Sequence, residues 1–298
     1  MISVIIPVKG HRIVERLLSK IGEVDFPQEY EIIVVDADPS ALNDLRATFK
    51  NVRWLDFSSQ SAQSIPEQRN FGIHNAKGEI IVFIDADCIP TKDWIRNLTE
   101  PLISENEYVT CGLVKSVQKY PIKWVVDHDF KSKYVSFCPT MNSAFHKSVF
   151  KNVGLYDLQF KYGAEDVDYC WRILKHGYSI RHCEKAIVFH DWGDIKRNIQ
   201  RMYGYGKANF LFFQKHTQDI IKKPSLVYGI LAYPLFLLSL PLIIIFPFFP
   251  LLLIIPFTKT LFEKKSLRYS LENVYFNILY GLGFLVGCLS YFKNKKAT

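Results

Sequence analysis

The run from Leu226 to Phe257 carries no charged residue and is punctuated by Pro234, Pro241, Pro247, Pro250 and Pro256. It is longer than the roughly 20 apolar residues that a straight membrane-spanning helix needs. Five prolines break an unbroken helix, because each removes a backbone donor and crowds the preceding turn. A kinked span and a re-entrant helical hairpin are both compatible with it. A second apolar stretch, Asn273 to Phe292, has the length of one span, and Gly283 and Gly287 provide a small-residue spacing that permits close helix packing. A buried core pair or an interfacial hairpin is the alternative for both stretches. Basic residues flank them: Lys222 and Lys223, then Lys259, Lys264, Lys265 and Arg268, then Lys293, Lys295 and Lys296. The net charge of +8 could signal a nucleic-acid binder, but bases in these places face anionic lipid instead, so no nucleic-acid partner is expected. If both stretches crossed once, the loop from Lys259 to Arg268 would lie outside, against the positive-inside tendency; a re-entrant first segment keeps it in the cytosol.

The remainder is a different kind of chain. With 298 residues, 49% hydrophobic and 22% charged, disorder is excluded. The six cysteines are scattered, with no disulfide-framework or zinc spacing, which points to a reduced, cytosol-facing protein. Met1 runs directly into Ile2-Ser-Val-Ile-Ile6 without the basic start of a signal peptide. Strands are predicted over Ile2–Ile6, Glu31–Val35, Val52–Phe57, Glu79–Ile84 and Ala186–Phe189. Helices are predicted over Arg12–Ile21, Ala41–Phe49 and Pro66–Ala76, with Pro66 suited to a first turn. Continuous β-branched runs alternating with helices indicate an α/β domain whose mostly parallel sheet is covered on both faces. Ligands of such sheets gather at the carboxyl ends of the strands.

Two of those ends are acidic. The second strand runs into Asp36-Ala37-Asp38 and the later one into Asp85-Ala86-Asp87. Either pair alone could simply build a turn. Two pairs on one rim bring charge that a divalent cation would neutralise. Glu165-Asp-Val-Asp168 opens a predicted helix, where the acids either cap it or serve as a base. The helix dipole is expected to keep Asp166 ionised.

Taken in order, Gln68-Arg69-Asn70-Phe71-Gly72, Asp85-Ala86-Asp87 with Pro90 and Trp94, Asn142-Ser-Ala-Phe145, Val153-Gly-Leu-Tyr-Asp157, Glu165-Asp166, Arg172, Gly177 and His190 resemble glycosyltransferase family 2 over residues 1 to about 195. The resemblance implies a GT-A-type, Rossmann-like catalytic domain (1–195); by composition a basic, aromatic connector (196–225) and a membrane-associated hydrophobic region (226–298) follow it. It implies that Pro7, Asp36, Asp38, Arg69, Asp85, Asp87 and Glu165 bind a nucleotide-sugar, with Arg69 facing base or phosphates. Asp87 and His190 would hold Mn²⁺ or Mg²⁺, and Asp166 would be the general base. Three departures stand out: Asp36-Ala-Asp-Pro-Ser40 replaces Asp-Asp-Gly-Ser, Cys138-Pro-Thr-Met141 replaces a glycine-containing stretch, and His146-Lys147 stand where an arginine often follows.

The expected activity is metal-dependent, inverting transfer from a UDP-sugar to a hydroxyl of a lipid-linked or membrane-bound acceptor. The enzyme would sit at the membrane with its catalytic domain facing the cytoplasm. In the connector, Arg201 beside Gln200 could gate the donor, or the segment could lie as an amphipathic helix against lipid headgroups. The alternatives are a silent nucleotide-binding membrane scaffold and a sugar-1-phosphate nucleotidyltransferase. The latter generally needs a Gly-rich basic loop, which Lys9-Gly10-His11-Arg12 matches feebly.

Overall fold

A computed structural model describes residues 1–58, 64–117, 131–161, 163–245, 248–264 and 266–295; Pro247, Lys265 and Lys296 lie outside the described residues. The chain divides into two compact units: one is built on a sheet and ends at Trp192, and the other is helical from Gly193 onward and also takes in Gly163 and Ala164.

The first unit begins with β1 (Ile2–Val8), whose seven residues are all buried, and α1 (Val14–Ile21). Val14, Leu17, Leu18 and Ile21 recur at helical spacing and form the buried stripe of α1. Next come β2 (Tyr30–Asp36), a 3-10 turn over Pro39–Leu42, α2 (Asn43–Thr48) and β3 (Val52–Asp56). Helix α3 (Ile65–Asn75) starts in a capping box, with Ser64 and Glu67 each satisfying the other's backbone amide. It leads to β4 (Ile80–Ile84), β5 (Cys88–Pro90), α4 (Trp94–Ser104) and β6 (Val109–Ser116). Beyond these lie β7 (Tyr134–Val135), β8 (Asn142–His146), α5 (Lys147–Val153), α6 (Glu165–Lys175) and β9 (Ile180–His190). The predicted strand over Ala186–Phe189 is the end of the longer β9.

The strand order is β3-β2-β1-β4-β8-β6-β9-β5, with β7 also on β9. Strands β3, β2, β1 and β4 are parallel and end together, which sets Asp36 directly across from Val8 and from Asp56. Strand β8 runs antiparallel between β4 and β6, so the sheet is mixed where the uniform apolar runs alone gave no sign of it. Between β6 and β9 the register slips after Gly112: Gly112 faces Cys183, and Leu113 faces Ile187. The buried Asn142 side chain spans this slip, donating to the Leu113 and Ala186 carbonyls at 3.0 and 2.9 Å and accepting from the Trp94 indole at 2.7 Å. A Cβ on Gly112 would meet the Ala186 carbonyl and the Asn142 carboxamide, so only glycine fits.

The second unit contains α7 (Ile195–Ile220), α8 (Pro224–Leu238), 3-10 turns over Leu240–Ile244 and Phe249–Leu253, α9 (Ile254–Lys264) and α10 (Leu267–Lys295). The first apolar run is therefore broken, as its prolines predict. At about 1.5 Å per residue, the 15-residue α8 falls short of a bilayer core about 30 Å thick. Among the described residues, one helix, Leu267–Lys293, is long and apolar enough to cross a membrane. Helices α7 and α10 meet through glycines: Gly206 lies against the Tyr280 carbonyl, and Gly283 against that of Tyr203. Asn273 of α10 is buried and donates to Thr260 of α9 at 2.9 Å.

The glycine contacts carry a prediction. Gly283→Val should destabilise the second unit by at least about 2 kcal/mol through overpacking. Gly229→Ala, with open space at that position, should be neutral or stabilising. Thermal midpoints of the detergent-solubilised chain check both; equal midpoints would show that the crossing tolerates a side chain.

Candidate active site

The turn after β4 brings two sets of acids together. Its backbone closes with the Cys88 amide donating to the Asp85 carbonyl at 3.0 Å, and β5 then pairs antiparallel with the end of β9. The Asp191 amide donates to the Asp87 carbonyl at 3.0 Å. This pairing carries the Asp87 carboxylate to 3.0 Å from His190 Nε2, with the side chains 11% and 4% exposed. His190 Nδ1 is buried without a hydrogen-bond partner, and the Trp192 ring lies edge-on at 4.2 Å. Carboxylate, imidazole and the Cys88 sulfur form a group of potential cation ligands within 4.8 Å of one another.

Arg69, on α3, joins the other half of the site. Its buried guanidinium donates to Glu165 Oε1 at 2.7 Å and to Asp85 Oδ1 at 3.2 Å, and stands 5.6 Å from the centre of the Tyr156 ring. Burial works against that charge, but Asp85 and Glu165 outweigh it and hold the group firmly protonated. The next residue, Asn70, fixes the Tyr156 backbone, accepting from its amide at 3.0 Å and donating to its carbonyl at 2.8 Å. Thus Arg69, expected to face base or phosphates, ties the end of β4 to the start of α6.

Glu165 and Asp166 open α6 just after Ala164, a non-glycine residue at φ +62°. That conformation costs about 1–2 kcal/mol, strain of the kind that clusters at functional sites. Asp166 keeps partial solvent access, yet the protein crowds it, and its carboxyl is pushed up to about 7. Burial is the main cause and the Glu165 charge adds to it, while Arg69 and the Val167 amide pull the other way. This corrects the expectation that the helix dipole governs Asp166: desolvation beside a second carboxylate outweighs it. Asp168, by contrast, is fully buried and accepts from Arg172 at 2.8 Å, with Arg172 also holding the Val153 and Leu155 carbonyls.

Asp36 and Asp38 lie at the end of β2, two strands from β4 across β1 and hence about 10 Å away. Asp36 is fully buried, and both oxygens are engaged: one accepts from the Asp38 amide at 3.0 Å and the other from Arg46 at 3.1 Å. Arg46 stacks over Trp54 at 5.3 Å. Asp38 is exposed, with Ser40 donating to it at 2.8 Å. Gly10, at φ +58°, lets the loop after β1 press on the Asp38 carboxylate, where a Cβ would sit 2.9 Å away. Pro7 is buried in β1 opposite Val35. Arg46, Trp54, Tyr156 and Cys88 were not singled out from sequence. Cys88, adjoining Asp87, and Tyr156, within the Val153–Asp157 stretch, had a signal there to find.

The profile of Glycosyl transferase family 2 matches residues 3–164, just over half of the chain. Chondroitin synthase of Pasteurella multocida is 23% identical over 66% of this chain and 25% of its own length. Pre-mycofactocin glycosyltransferase of Mycobacterium tuberculosis is 23% identical over 69% of this chain and 46% of its own. The chain thus spans less than half the length of these two relatives. Among solved structures, S. aureus TarS in complex with UDP-GlcNAc superposes with a TM-score of 0.55 at 15% identity, covering 73% of each chain, a likeness of fold.

The buried bridge carries its own test. Arg69→Met should leave two acids facing each other without a counter-charge. The loss should be at least about 2 kcal/mol, below that of a fully buried pair because Asp85 keeps some water. Adding Glu165→Gln should recover part of it. Thermal unfolding of the single and double variants decides; additive losses would show that the bridge is not a unit.

Proposed function

We propose that this chain, which belongs to glycosyl transferase family 2 and has a GT-A-type α/β unit, is a nucleotide-sugar transferase: a metal-dependent, inverting enzyme using a UDP-sugar donor. The observation that carries this reading is the single buried guanidinium of Arg69, which holds the donor-side acid Asp85 and the acceptor-side acid Glu165. Asp166, next to Glu165, is the general base. With a carboxyl near 7 it is ionised in a useful fraction at neutral pH, yet basic enough to draw a proton from a hydroxyl in the transition state. Attack by that hydroxyl from the side opposite the leaving diphosphate inverts the anomeric centre.

Asp87 and His190 are the residues that would hold a divalent cation; carboxylate and imidazole suit Mn²⁺, and the unpartnered Nδ1 shows that the imidazole is not committed to another group on that side. The cation, when bound, neutralises charge developing on the diphosphate. Asp36 and Asp38 take the nucleoside end. Because both oxygens of Asp36 are already engaged, Asp38 is the carboxylate that meets the ligand, with Asp36 and Arg46 shaping the strand end beneath it. Pro7 forms part of the floor in β1. The UDP-GlcNAc complex of TarS supports a UDP-sugar as donor.

The second unit anchors the enzyme to membrane lipid through α10, with the catalytic unit on the cytosolic side, where nucleotide-sugars are made. The acceptor is then a hydroxyl on a lipid-linked or membrane-proximal molecule. The apolar helix Leu267–Lys293, with bases at its end, supports this reading.

Calorimetry tests the donor site: UDP should bind with Mn²⁺ present, and Asp87→Ala should abolish the metal dependence. Absence of UDP binding under both conditions would refute the donor assignment. Turnover tests the base. Asp166→Asn should keep UDP binding and lose about 10²–10⁴-fold in kcat. In the parent enzyme, kcat/KM should rise with pH through about 7 as Asp166 ionises. Removing the neighbouring charge with Glu165→Gln should move that limb to lower pH; an unmoved limb would assign it to another group.

A further inference from the structure

The antiparallel pairing of β5 with β9 does more than deliver Asp87. It sets Cys88 directly opposite His190, and residues opposite each other in a ladder project to the same face. We propose that Cys88 is a third protein ligand of the Asp87–His190 cation site and that its sulfur makes the site select thiophilic transition-metal cations over Mg²⁺. This inference rests on the reading that Asp87 and His190 hold a divalent cation.

Three observations support it. The candidate ligand atoms of Asp87, Cys88 and His190 all lie within 4.8 Å of one another. A tetrahedral ion bonded to oxygen, nitrogen and sulfur would hold them roughly 3.4–3.6 Å apart, a distance reached by small side-chain rotations. All three are well shielded, Cys88 at 1% exposure and the Asp87 side chain at 11%. Finally, Nε2 of His190 is the nitrogen turned to Asp87, and Nδ1 is buried with no hydrogen-bond partner, so no other protein group ties the imidazole to a tautomer that would deny Nε2 to a metal. A buried cysteine on its own is usually a small hydrophobe. Here it is flanked by a carboxylate and an imidazole, and the O, N, S set matches borderline-soft ions, whereas Mg²⁺ demands oxygen in octahedral array. On binding, the metal–sulfur bond forms as the S–H bond breaks, and the proton passes to the buffer.

The test uses the full chain in detergent and Cd²⁺ alone as the probe, followed by its thiolate charge-transfer absorption and by ¹¹³Cd NMR. Because five other thiols are present, only signal displaced by Mn²⁺ is counted. Wild-type protein should show sulfur-ligated cadmium that Zn²⁺ displaces and a large excess of Mg²⁺ does not. Cys88→Ser should lose that signal and bind Cd²⁺ at least about tenfold more weakly, the lower end for perturbing a metal site, with Mn²⁺ binding affected far less. An unchanged cadmium band and affinity in Cys88→Ser would overturn the proposal. Should that variant not fold, the wild-type ¹¹³Cd shift decides, a purely oxygen–nitrogen value overturning it. Asp87→Asn separates the two levels. If it weakens neither Cd²⁺ nor Mn²⁺ binding, the cation site itself is wrong; if it weakens both while Cys88→Ser weakens neither, only the sulfur ligand is wrong.

Discussion

One buried positive charge organises the sheet-bearing unit. Arg69 is almost fully enclosed, and its guanidinium meets carboxylates from the turn after β4 and from the start of α6. Enclosing a charge is unfavourable unless it is paired and hydrogen-bonded. The pairing therefore fixes where those two segments sit relative to α3. The same arrangement leaves Asp166 beside the Glu165 carboxylate and in surroundings that disfavour its own charge. A carboxyl that holds its proton more tightly than an ordinary aspartate follows from that geometry. Tyr156, held by Asn70 through its backbone, closes the flat side of the guanidinium.

The parallel half of this unit was legible because continuous apolar strands declare burial on both faces, and acids at their ends declare a rim. Helix α3 was legible too, its Pro66 sitting in the first turn of the observed helix. Partners distant in sequence were not. Nothing in the local pattern around Arg46 announces that it reaches Asp36, and nothing near Asn142 announces that it spans two neighbouring strands. The ionisation of Asp166 escapes the sequence for a similar reason: the dipole of its own helix is visible there, whereas the burial that outweighs it is not.

The helical unit follows another logic. Where exposed leucines, isoleucines and phenylalanines abound, as along α8 and the turns after it, burial of apolar area within the unit does not select one helix arrangement. Shape and hydrogen bonds take over. The glycine contacts of α7 with α10 allow backbones to touch, and the Asn273–Thr260 bond joins α9 to α10. Gly283 and Gly287 were visible as a pattern; their counterpart Gly206 was not, because it lies in a segment that reads as polar.

The slip between β6 and β9 advances β9 by three residues relative to its partner, from Gly112–Cys183 to Leu113–Ile187. Side chains alternate faces with a period of two, so chain length in the excursion decides which β9 residues turn inward beyond it. Buried His190 and exposed Phe189 are neighbours in that alternation. Gain of a single residue at Glu184 or Lys185, carried through the ladder, would bring Phe189 to the place of His190, presenting a benzyl ring to Asp87 where an imidazole now stands; loss of one would bring Asp191 there. These two exposed positions thus tolerate many substitutions of kind but not a change of number, a constraint on evolution that no property of their side chains reveals.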